Sequence, residues 1–462
     1  MRRVYDVIIL GGGPGGYRAA ELAAKAGMKV ALVEKDALGG MCLNRGCIPT
    51  KAYYARLVGG HGSSASLWED KETVVSKLRE GIVTLMRMTG VDVVRGTGTI
   101  TCAGDVKSVE VHGAGDPVAL SGKNLIIATG SRSMPMDFDG ADLPGVITGD
   151  RAVACPDLWK SPDHETVSSV GVVGAGVIAV ELAAMLKALG KDVTIFKHSD
   201  EVLRRADGDI KKKLVQGFKK RKIRMVDFFH PETITAEGPL LRISGSTKNG
   251  REEAVCDRVI LASSMVPILD GYGLENTGVR FDPRKGIAVD ASMRTNIEGV
   301  WAIGDVTGGM MLAHLAEYHA LAAVEAMQGR SVSIPPDSVP WCVFSDPEIA
   351  AVGLSEEQAA SQNLQFVSAR SYFLGNGMAL AMGKTDGFVK VVAARDGKLL
   401  GVHMMGPEAA SMISEAALAV RYGMSVRDVA YTVHPHPTLS ECFKDALRSE
   451  EHTSELQSHS FI

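Results

Sequence analysis

The stretch YDVIILGGGPGGYRAAELAAKAGMKVALVE, residues 5–34, decides how this chain folds. A short apolar run ends in a cluster of glycines, and an alanine-rich helical stretch and a second apolar run follow it. The first glycines let the backbone turn and approach a pyrophosphate, and a small third residue lets helix and strand pack closely. Free N–H groups at the helix N-terminus then face the phosphates. The stretch therefore predicts a βαβ unit that binds a dinucleotide through Gly11, Gly13 and Gly16.

The same unit occurs again as SSVGVVGAGVIAVELAAMLKALGKDVTIFK, residues 168–197. Gly174, Gly176 and Ala179 take the places of the three small residues. The step from the first glycine to the last residue of the second apolar run is 23 residues in both units. One glycine cluster alone is also found in tight turns of other α/β proteins. The complete arrangement, present twice, predicts two dinucleotide sites.

The residue that ends the second strand of each unit is placed to contact the adenosine ribose. Glu34 can accept hydrogen bonds from a 2′-hydroxyl, which suits FAD or NAD. Lys197 stands at the equivalent place in the second unit, and His198, Arg204 and Arg205 follow it. A cation there suits a 2′-phosphate, but Lys197 can also be a surface lysine that points away. The second nucleotide can therefore be NAD or NADP.

Two cysteines lie five residues apart in GGMCLNRGCIPTK, residues 39–51. A disulfide between Cys42 and Cys47 would close a very small loop and gain little chain entropy. In a regular helix their Cα atoms would be about 8 Å apart, beyond the usual reach of a disulfide, so either the helix is distorted or the bond is absent. A metal site would need further ligands, and the nearest histidine is His61. A redox pair is favoured, because a helix N-terminus and Lys51 both stabilise a thiolate.

Three further stretches carry candidate site residues. NLIIATGS, residues 124–131, is predicted to be a buried strand that turns at Gly130. TNIEGVWAIGDV, residues 295–306, ends in Gly304 and Asp305, and this aspartate can cap the following helix or hold a ribityl hydroxyl.

In HPHPTLSE, residues 434–441, His436 precedes Glu441 by five residues. This pair is either a general acid–base arrangement or a histidine in a proline-braced turn.

Bulk composition limits the possible functions. The 462 residues are 45% hydrophobic and carry a formal net charge of −4, which suggests several domains and no general affinity for polyanions. The basic run at residues 209–224 repeats its apolar positions at helical spacing, which favours a solvated helix face over a nucleic-acid-binding arm. No apolar run is long enough for a membrane span or a signal peptide. We expect a cytoplasmic protein that binds neither nucleic acid nor membrane.

Together these motifs resemble the FAD-dependent pyridine nucleotide–disulfide oxidoreductases over about residues 1–446. The thiol stretch, with Leu43 and Ile48, and the histidine stretch are most similar to the members that oxidise dihydrolipoamide. The resemblance implies an α/β fold with two Rossmann-like dinucleotide-binding domains and an α+β C-terminal domain that forms a homodimer. The implied segments are 1–150 and 272–335 for FAD, 151–271 for NAD(P) and 336–446 for the dimer interface. Residues 447–462 fit nothing in the family, and their polar composition predicts disorder.

The resemblance also implies residue roles. Cys42 would exchange with the dithiol substrate, and Cys47 would lie against the flavin as a thiolate. Lys51, paired with Glu181, would approach the flavin, and His436, oriented by Glu441, would act as base from the partner subunit. The remaining implied cofactor contacts are Gly11, Gly13, Gly16, Glu34, Gly130, Gly304, Asp305 and Ala313 for FAD, and Gly174, Gly176, Ala179 and Lys197 for NAD(P).

The implied activity is oxidation of a protein-bound dihydrolipoyl dithiol through the disulfide and FAD to NAD(P)+. The expected partners are lipoyl domains of 2-oxo acid dehydrogenase or glycine-cleavage complexes. The sequence departs from the family at Met41, Ala179, Lys197, Leu315 and residues 262–271, which leaves the coenzyme open. Two alternatives remain: an NADPH-dependent reductase of another disulfide or acceptor, and a catalytically inactive FAD-binding scaffold.

Overall fold

The fold described here is that of a computed structural model, which covers residues 3–58, 66–159 and 167–458. Its helices are α1 Pro14–Lys25, α2 Gly40–Arg45, α3 Cys47–Leu57, α4 Leu67–Met88, α5 Gly149–Val153, α6 Pro156–Trp159, α7 Val177–Ala188, α8 Gly208–Lys220, α9 Ala313–Met327, α10 Glu356–Ser361, α11 Gly377–Ala381, α12 Ala409–Arg421, α13 Val426–Ala430 and α14 Glu441–Ser458. Short 3₁₀ turns supplement them, among them Gly304–Thr307.

The first sheet is built around the opening apolar run. Its strands are β1 Arg3–Leu10, β2 Val30–Glu34, β3 Asp92–Arg95, β4 Thr97–Ala103, β5 Lys107–His112, β6 Val118–Ile127 and β19 Val300–Ala302. The order is β3-β2-β1-β6-β5-β4, and β19 pairs with β6. β1 is parallel to β2 and to β6, and its last residues, Val7 to Leu10, are buried. Strands buried on both faces are nearly continuous apolar runs, which is why this stretch shows no polar alternation.

The second sheet repeats that plan. Its strands are β8 Val146–Thr148, β9 Ser169–Val173, β10 Asp192–Phe196, β11 Arg224–Val226 and β15 Arg258–Leu261, in the parallel order β11-β10-β9-β15-β8. Because β8 joins this sheet, the second unit begins shortly before the expected boundary at residue 151. An antiparallel sheet of β12 His230–Glu237, β13 Leu240–Thr247 and β14 Gly250–Cys256 completes the unit. Two short ribbons lie outside these sheets: β7 Ser131–Ser133 with β16 Met265–Pro267, and β17 Phe281–Asp282 with β18 Gly286–Ile287.

The basic run at residues 209–224 lies mostly in α8. Ile210, Leu214 and Phe218 are buried on one side of this helix, so the expected amphipathic helix is confirmed. The cationic residues between them lie on the other faces.

The C-terminal unit is an antiparallel sheet covered by helices. Its strands are β20 Trp341–Val343, β21 Glu348–Gly353, β22 Phe366–Tyr372, β23 Phe388–Ala394 and β24 Leu399–Gly406, in the order β20-β21-β24-β23-β22. α12 packs on β21 and β24, and α14 packs on β22 and β23. α14 continues to Ser458, which corrects the expectation of disorder from residue 447 up to that point. Glu, Leu and Gln in this stretch favour helix, and it extends a helix that is already packed; residues 459–462 lie outside the described part.

Across the three described ranges, no helix is long and apolar enough to cross a membrane.

A buried ion cluster joins the second and third units. Lys390 of β23 and Asp207, which caps α8, are both fully buried, and the Lys390 ammonium lies 2.9 Å from the Asp207 carboxylate. Asp209 and Glu356 also pair with this ammonium. Several carboxylates therefore share one buried cation, and removing the cation would leave them uncompensated.

Replacing Lys390 by Met should therefore lower the free energy of unfolding by about 3–5 kcal/mol. The control is Lys213→Met, which removes the more exposed ion pair between Lys213 and Asp386 and should cost less than about 1 kcal/mol. Urea denaturation of both variants at equal protein concentration measures the difference. Equal losses in the two variants would contradict the importance assigned to the buried cluster.

Candidate active site

The two cysteines lie on either side of a break between α2 and α3. Gly46 makes this break, with φ −136° and ψ −111°. A Cβ placed on Gly46 would lie 3.1 Å from the Met41 carbonyl oxygen and 3.3 Å from the Cys42 Cα, so a small residue is needed for the close approach. The structure thus shows a distorted helix and, at the same time, no disulfide between the two cysteines. Both cysteines are free thiols, and their side chains are hydrogen-bonded to each other.

The shared hydrogen bond separates the acidities of the two thiols. It raises the pKa of Cys42, and burial raises it further. The same bond lowers the pKa of Cys47, and the Lys51 ammonium assists, although burial opposes the shift. The Cys47 residue is solvent-accessible, yet the protein around its sulfur still desolvates it. The directions of the two shifts favour a negative charge on Cys47 over one on Cys42.

Glu181 holds Lys51 in place. The Lys51 Nζ lies 2.8 and 3.0 Å from the two carboxylate oxygens of Glu181 on α7, and the Glu181 side chain is buried. The backbone N–H of Phe344 donates to the same carboxylate at 2.9 Å, and the ammonium lies 4.5 Å from the centroid of the Phe344 ring. The expected pairing of Lys51 with Glu181 is thus present, and it fixes a positive charge beside Cys47.

The first glycine cluster forms a tight cradle before α1. Gly11 has φ +104°, and a Cβ there would lie 2.2 Å from the Ala128 carbonyl oxygen. A Cβ on Gly16 would lie 1.8 Å from the Gly11 carbonyl oxygen. Gly13 precedes Pro14 at the start of α1, where no side chain caps the free N–H groups. These features fit the pyrophosphate of FAD.

Glu34 closes the cradle on the side of β2. Its carboxylate oxygens each accept one backbone N–H at 2.7 Å, from Gly12 and Asp36. A carboxylate oxygen has further lone pairs, so Glu34 can still accept a ribose hydroxyl.

Asp305 lies inside the 3₁₀ turn Gly304–Thr307 rather than at the N-cap of the next helix. Leu312 occupies the N-cap position of α9, which begins at Ala313, so the capping interpretation of Asp305 is wrong. The Asp305 carboxylate accepts the Ser131 hydroxyl at 2.6 Å, and burial raises its pKa. Ser131 directly follows Gly130, which has φ +75°, so the two expected FAD-binding stretches meet here.

His319 supports this turn, and sequence reasoning did not identify it. Its Nδ1 accepts the Gly304 N–H at 3.2 Å, and burial lowers the pKa of His319 to about 4. Its place in a helical, alanine-rich stretch gives no signal for this role. A neutral ring is required, because the accepting nitrogen carries no proton.

The second glycine cluster has the same geometry. Gly174 has φ +129°, and a Cβ there would lie 2.4 Å from the Ala262 carbonyl oxygen. Gly176 is the uncapped N-cap residue of α7, and an added Cβ there would meet nothing within 4 Å. Ala179 is fully buried, so alanine suffices for close helix packing.

Lys197 is neither a free cation nor a surface lysine. Its side chain is buried, and its Nζ lies 2.9 Å from the Asp227 carboxylate and 2.6 Å from the Asp200 carbonyl oxygen. This corrects the expectation that its charge faces either a phosphate or the solvent. Asp227, in the turn directly after the adjacent parallel strand β11, neutralises it. The side chain of Arg204 is 82% exposed.

His436 and Glu441 form a hydrogen-bonded pair. The His436 Nδ1 lies 3.0 and 3.2 Å from the Glu441 carboxylate oxygens, so Nδ1 donates and Nε2 is left as the basic nitrogen. The Thr438 N–H, His436 and Lys444 lower the pKa of Glu441 to about 2. The His436 side chain is 79% exposed. No hydrogen bond within the described chain joins this pair to the cysteines.

In the part of the chain that the structure describes, the other histidine and acidic side chains do not form a metal site. Within the described residues, no group of three or more His, Cys, Asp or Glu could hold a metal ion. His61 lies outside the described residues.

Two nucleotide cradles and an adjacent dithiol, joined to an antiparallel C-terminal sheet, define a flavoprotein disulfide oxidoreductase. The family profile "Pyridine nucleotide-disulphide oxidoreductase" matches residues 5–320, and the profile of its dimerisation domain matches residues 339–447. The chain belongs to this family and is an FAD-dependent oxidoreductase that uses NAD(P). The second match supports a homodimer.

Individual relatives agree with this assignment. The chain is 36% identical to a dihydrolipoyl dehydrogenase of Bacillus subtilis, covering 96% of this chain and 98% of the relative. It is similar in structure to LpdA from Mycobacterium tuberculosis, with a TM-score of 0.87 and 25% identity over 96% of this chain and 99% of the other. A Cu(II) complex of the HOCl-induced flavoprotein disulfide reductase RclA from Escherichia coli also has a TM-score of 0.87 and 25% identity, over 97% and 99% of the two chains.

Replacing Gly16 by Ala should prevent FAD binding, because the added Cβ would lie 1.8 Å from a backbone oxygen of the cradle. We expect at least a tenfold loss of flavin per protein chain, measured from the visible absorbance of the purified variant.

The control is Gly81→Ala in the interior of α4, where an added Cβ meets nothing within 4 Å. It should keep the flavin and stabilise the helix by about 0.5–1 kcal/mol. A fully flavinated Gly16→Ala protein would contradict the cradle.

Proposed function

We propose that the protein oxidises a dihydrolipoyl dithiol, carried on a lipoyl domain, through a Cys42–Cys47 disulfide, and that it does so in the cytoplasm. The observation that carries the proposal is the pair of free thiols, Cys42 and Cys47, on either side of the break at Gly46 and beside the fixed Lys51–Glu181 ion pair. The similarity to dihydrolipoyl dehydrogenases supports the same substrate class. The partners would be lipoyl domains of 2-oxo acid dehydrogenase or glycine-cleavage complexes.

The exchange takes place in two sulfur displacements. A thiolate of the substrate attacks the Cys42 sulfur, forms a mixed disulfide and releases Cys47 as a thiolate. A thiol of lower pKa is the better leaving group, so the lowered pKa of Cys47 favours attack at Cys42. The second substrate thiol then displaces Cys42, which leaves a cyclic substrate disulfide and the reduced protein pair.

His436 would remove the proton from the attacking thiol. Its free Nε2 is the basic nitrogen, and Glu441 stabilises the imidazolium that forms. We propose that this pair acts from the partner subunit of the homodimer. Its large exposed fraction in one chain is consistent with that arrangement.

FAD would be held by the first cradle, Glu34, Gly130, Gly304, Asp305 and the start of α9 at Ala313, and NAD(P) by Gly174, Gly176 and Ala179. When bound, FAD supplies the two-electron chemistry that connects a dithiol to nicotinamide. The contribution of Lys51 and Glu181 is a fixed positive charge beside Cys47.

A second candidate is an NADPH-dependent reductase of another disulfide or acceptor. The specific observation in its favour lies at the end of β10. Buried Lys197, neutralised by Asp227, stands there where an NAD-binding unit would have a carboxylate that accepts the ribose hydroxyls. Exposed Arg204 lies further along the same loop. Similarity to the disulfide reductase RclA agrees with this candidate.

One assay distinguishes these functions. The purified flavoprotein is supplied with dihydrolipoamide and either NAD+ or NADP+, and with NADH or NADPH and a disulfide acceptor. We expect oxidation of dihydrolipoamide, with turnover lowered about 10²-fold or more in Glu441→Gln. Activity only with NADPH and another acceptor would favour the second candidate. A flavinated protein without any turnover would be the inactive scaffold.

The acidity of Cys47 has a separate test. In Cys42→Ser the hydroxyl still donates to Cys47, whereas in Cys42→Ala this donor is lost. Because the hydrogen bond lowers the pKa of Cys47, the thiolate should appear at a higher pH in Cys42→Ala than in Cys42→Ser.

The measurement is a pH titration of the long-wavelength absorbance that a thiolate gives beside a flavin. Cys47→Ser is the control and should lack the absorbance at every pH. Identical titrations of the two Cys42 variants would show that the hydrogen bond does not set the acidity of Cys47.

A further inference from the structure

A second histidine–carboxylate pair lies two residues before His436. The side chain of His434 is only 4% exposed, although the loop around it is largely exposed. Its Nδ1 lies 2.9 Å from the Thr432 carbonyl oxygen, and its Nε2 lies 2.9 Å from a carboxylate oxygen of Glu415 on α12. The Glu415 side chain is 37% exposed, so only the histidine is buried. We call His434 and Glu415 the buried pair after this histidine.

The two histidines of this loop differ in the number of acceptors they face. His436 faces an acceptor at Nδ1 only, so a neutral ring satisfies its hydrogen bond. His434 faces a carbonyl oxygen at one nitrogen and a carboxylate at the other. A neutral imidazole carries only one N–H and cannot donate to both. A neutral imidazole and an ionised carboxylate together carry one N–H proton. The buried pair needs two protons to make both hydrogen bonds, which is one more.

The buried pair connects the loop of the candidate base to a helix of the C-terminal unit. Glu415 lies on α12, whereas Glu441 holds the other end of the loop at the start of α14. His436 thus lies between two anchors, of which the Glu441 anchor needs no extra proton. Opening the buried pair would release only the first side of the loop.

We infer that His434 is a positioning residue for the base His436 and that it holds the loop only while the buried pair keeps its extra proton. This inference rests on the proposed function. The sign follows from the proton count: the hold is present at low pH and is lost as the pH rises.

Other charged groups near the loop already have partners. Arg427 of α13 lies over the Tyr431 ring, and Asp428 accepts from Ser425. At the far end of the loop, His436 and Lys444 both pair with Glu441. Among the side chains described, Glu415 is the charged group in direct contact with the His434 ring.

Glu415→Gln provides a sharp test, because an amide can donate as well as accept. In this variant neutral His434 can donate from Nδ1 to Thr432 and accept the glutamine N–H at Nε2. The hold then no longer needs the extra proton. His434→Ala removes the hold at every pH, and it is the second variant.

The expected kinetic result is a change in the alkaline limb of kcat/KM for dihydrolipoamide. The wild type should lose activity at high pH as the buried pair loses its proton. Glu415→Gln should keep its activity over the same pH range. His434→Ala should be about 10- to 100-fold slower throughout, because a displaced base costs rate steeply. Reduction of an artificial acceptor by NAD(P)H, which does not use His436, should be unchanged in both variants. An alkaline limb that stays the same in Glu415→Gln would overturn the positioning role.

The protonation itself is measured independently of activity. Ring-15N histidine spectra of the wild-type holoenzyme, with the His434 signals assigned by their absence from His434→Ala, should show two protonated nitrogens. A neutral His434 ring at a pH below the alkaline limb, where the enzyme is fully active, would overturn the inference. If the wild type does not oxidise dihydrolipoamide, the proposed function fails. The inference is then judged from the chemical shifts of the His436 ring. These should change in His434→Ala and stay the same in Glu415→Gln. Shifts that stay the same in both variants would reject the inference.

Discussion

One buried carboxylate, that of Glu181, links the three units at the point where the chemistry is proposed. It lies on α7 of the second unit, accepts the Lys51 ammonium of α3 in the first unit and accepts the Phe344 N–H beside β20 of the third. A buried charge is tolerated only when it is paired and hydrogen-bonded, so the three elements must meet in this geometry for Glu181 to be satisfied. The position of Lys51 beside the thiols is thus a consequence of how the units pack.

Because Glu181 fixes Lys51 beside the thiols, it also contributes to the difference between the two cysteines. The two thiols differ in acidity because the hydrogen bond between them raises the pKa of Cys42 and lowers that of Cys47, and the Lys51 ammonium also lowers the pKa of Cys47. Gly46 makes the arrangement possible by ending α2 and starting α3 between them. The break therefore does more than permit a disulfide. In the proposed exchange, the difference between the two sulfurs decides which one the substrate attacks and which one leaves.

Sequence reasoning succeeded where the physical cause is local. The glycine cradles, their helices and the strand ends lie within about 30 residues, so steric rules alone connect them. It failed where the partner comes from a distant strand or helix. Lys197 is neutralised by Asp227, just after β11, and Asp305 accepts from Ser131, far earlier in the chain. Sheet register and domain packing determine such contacts, and no short pattern encodes them. The dyad of His436 and Glu441 was predictable because both residues lie in one loop, whereas Glu415 approaches His434 from another helix.

The two histidines of the HPHPTLSE loop show how the same residue type can take different roles by proton count alone. An exposed ring with one acceptor keeps a lone pair free and can act as a base. A buried ring between two acceptors has no free lone pair and can only hold structure. Burial and acceptor number therefore separate these roles, although the sequence places the two histidines in nearly equivalent His-Pro steps. The same reasoning applies to His319, which must stay neutral because it accepts a backbone N–H. His319, His436 and His434 thus face zero, one and two hydrogen-bond acceptors. The chemistry available to each ring follows from that number.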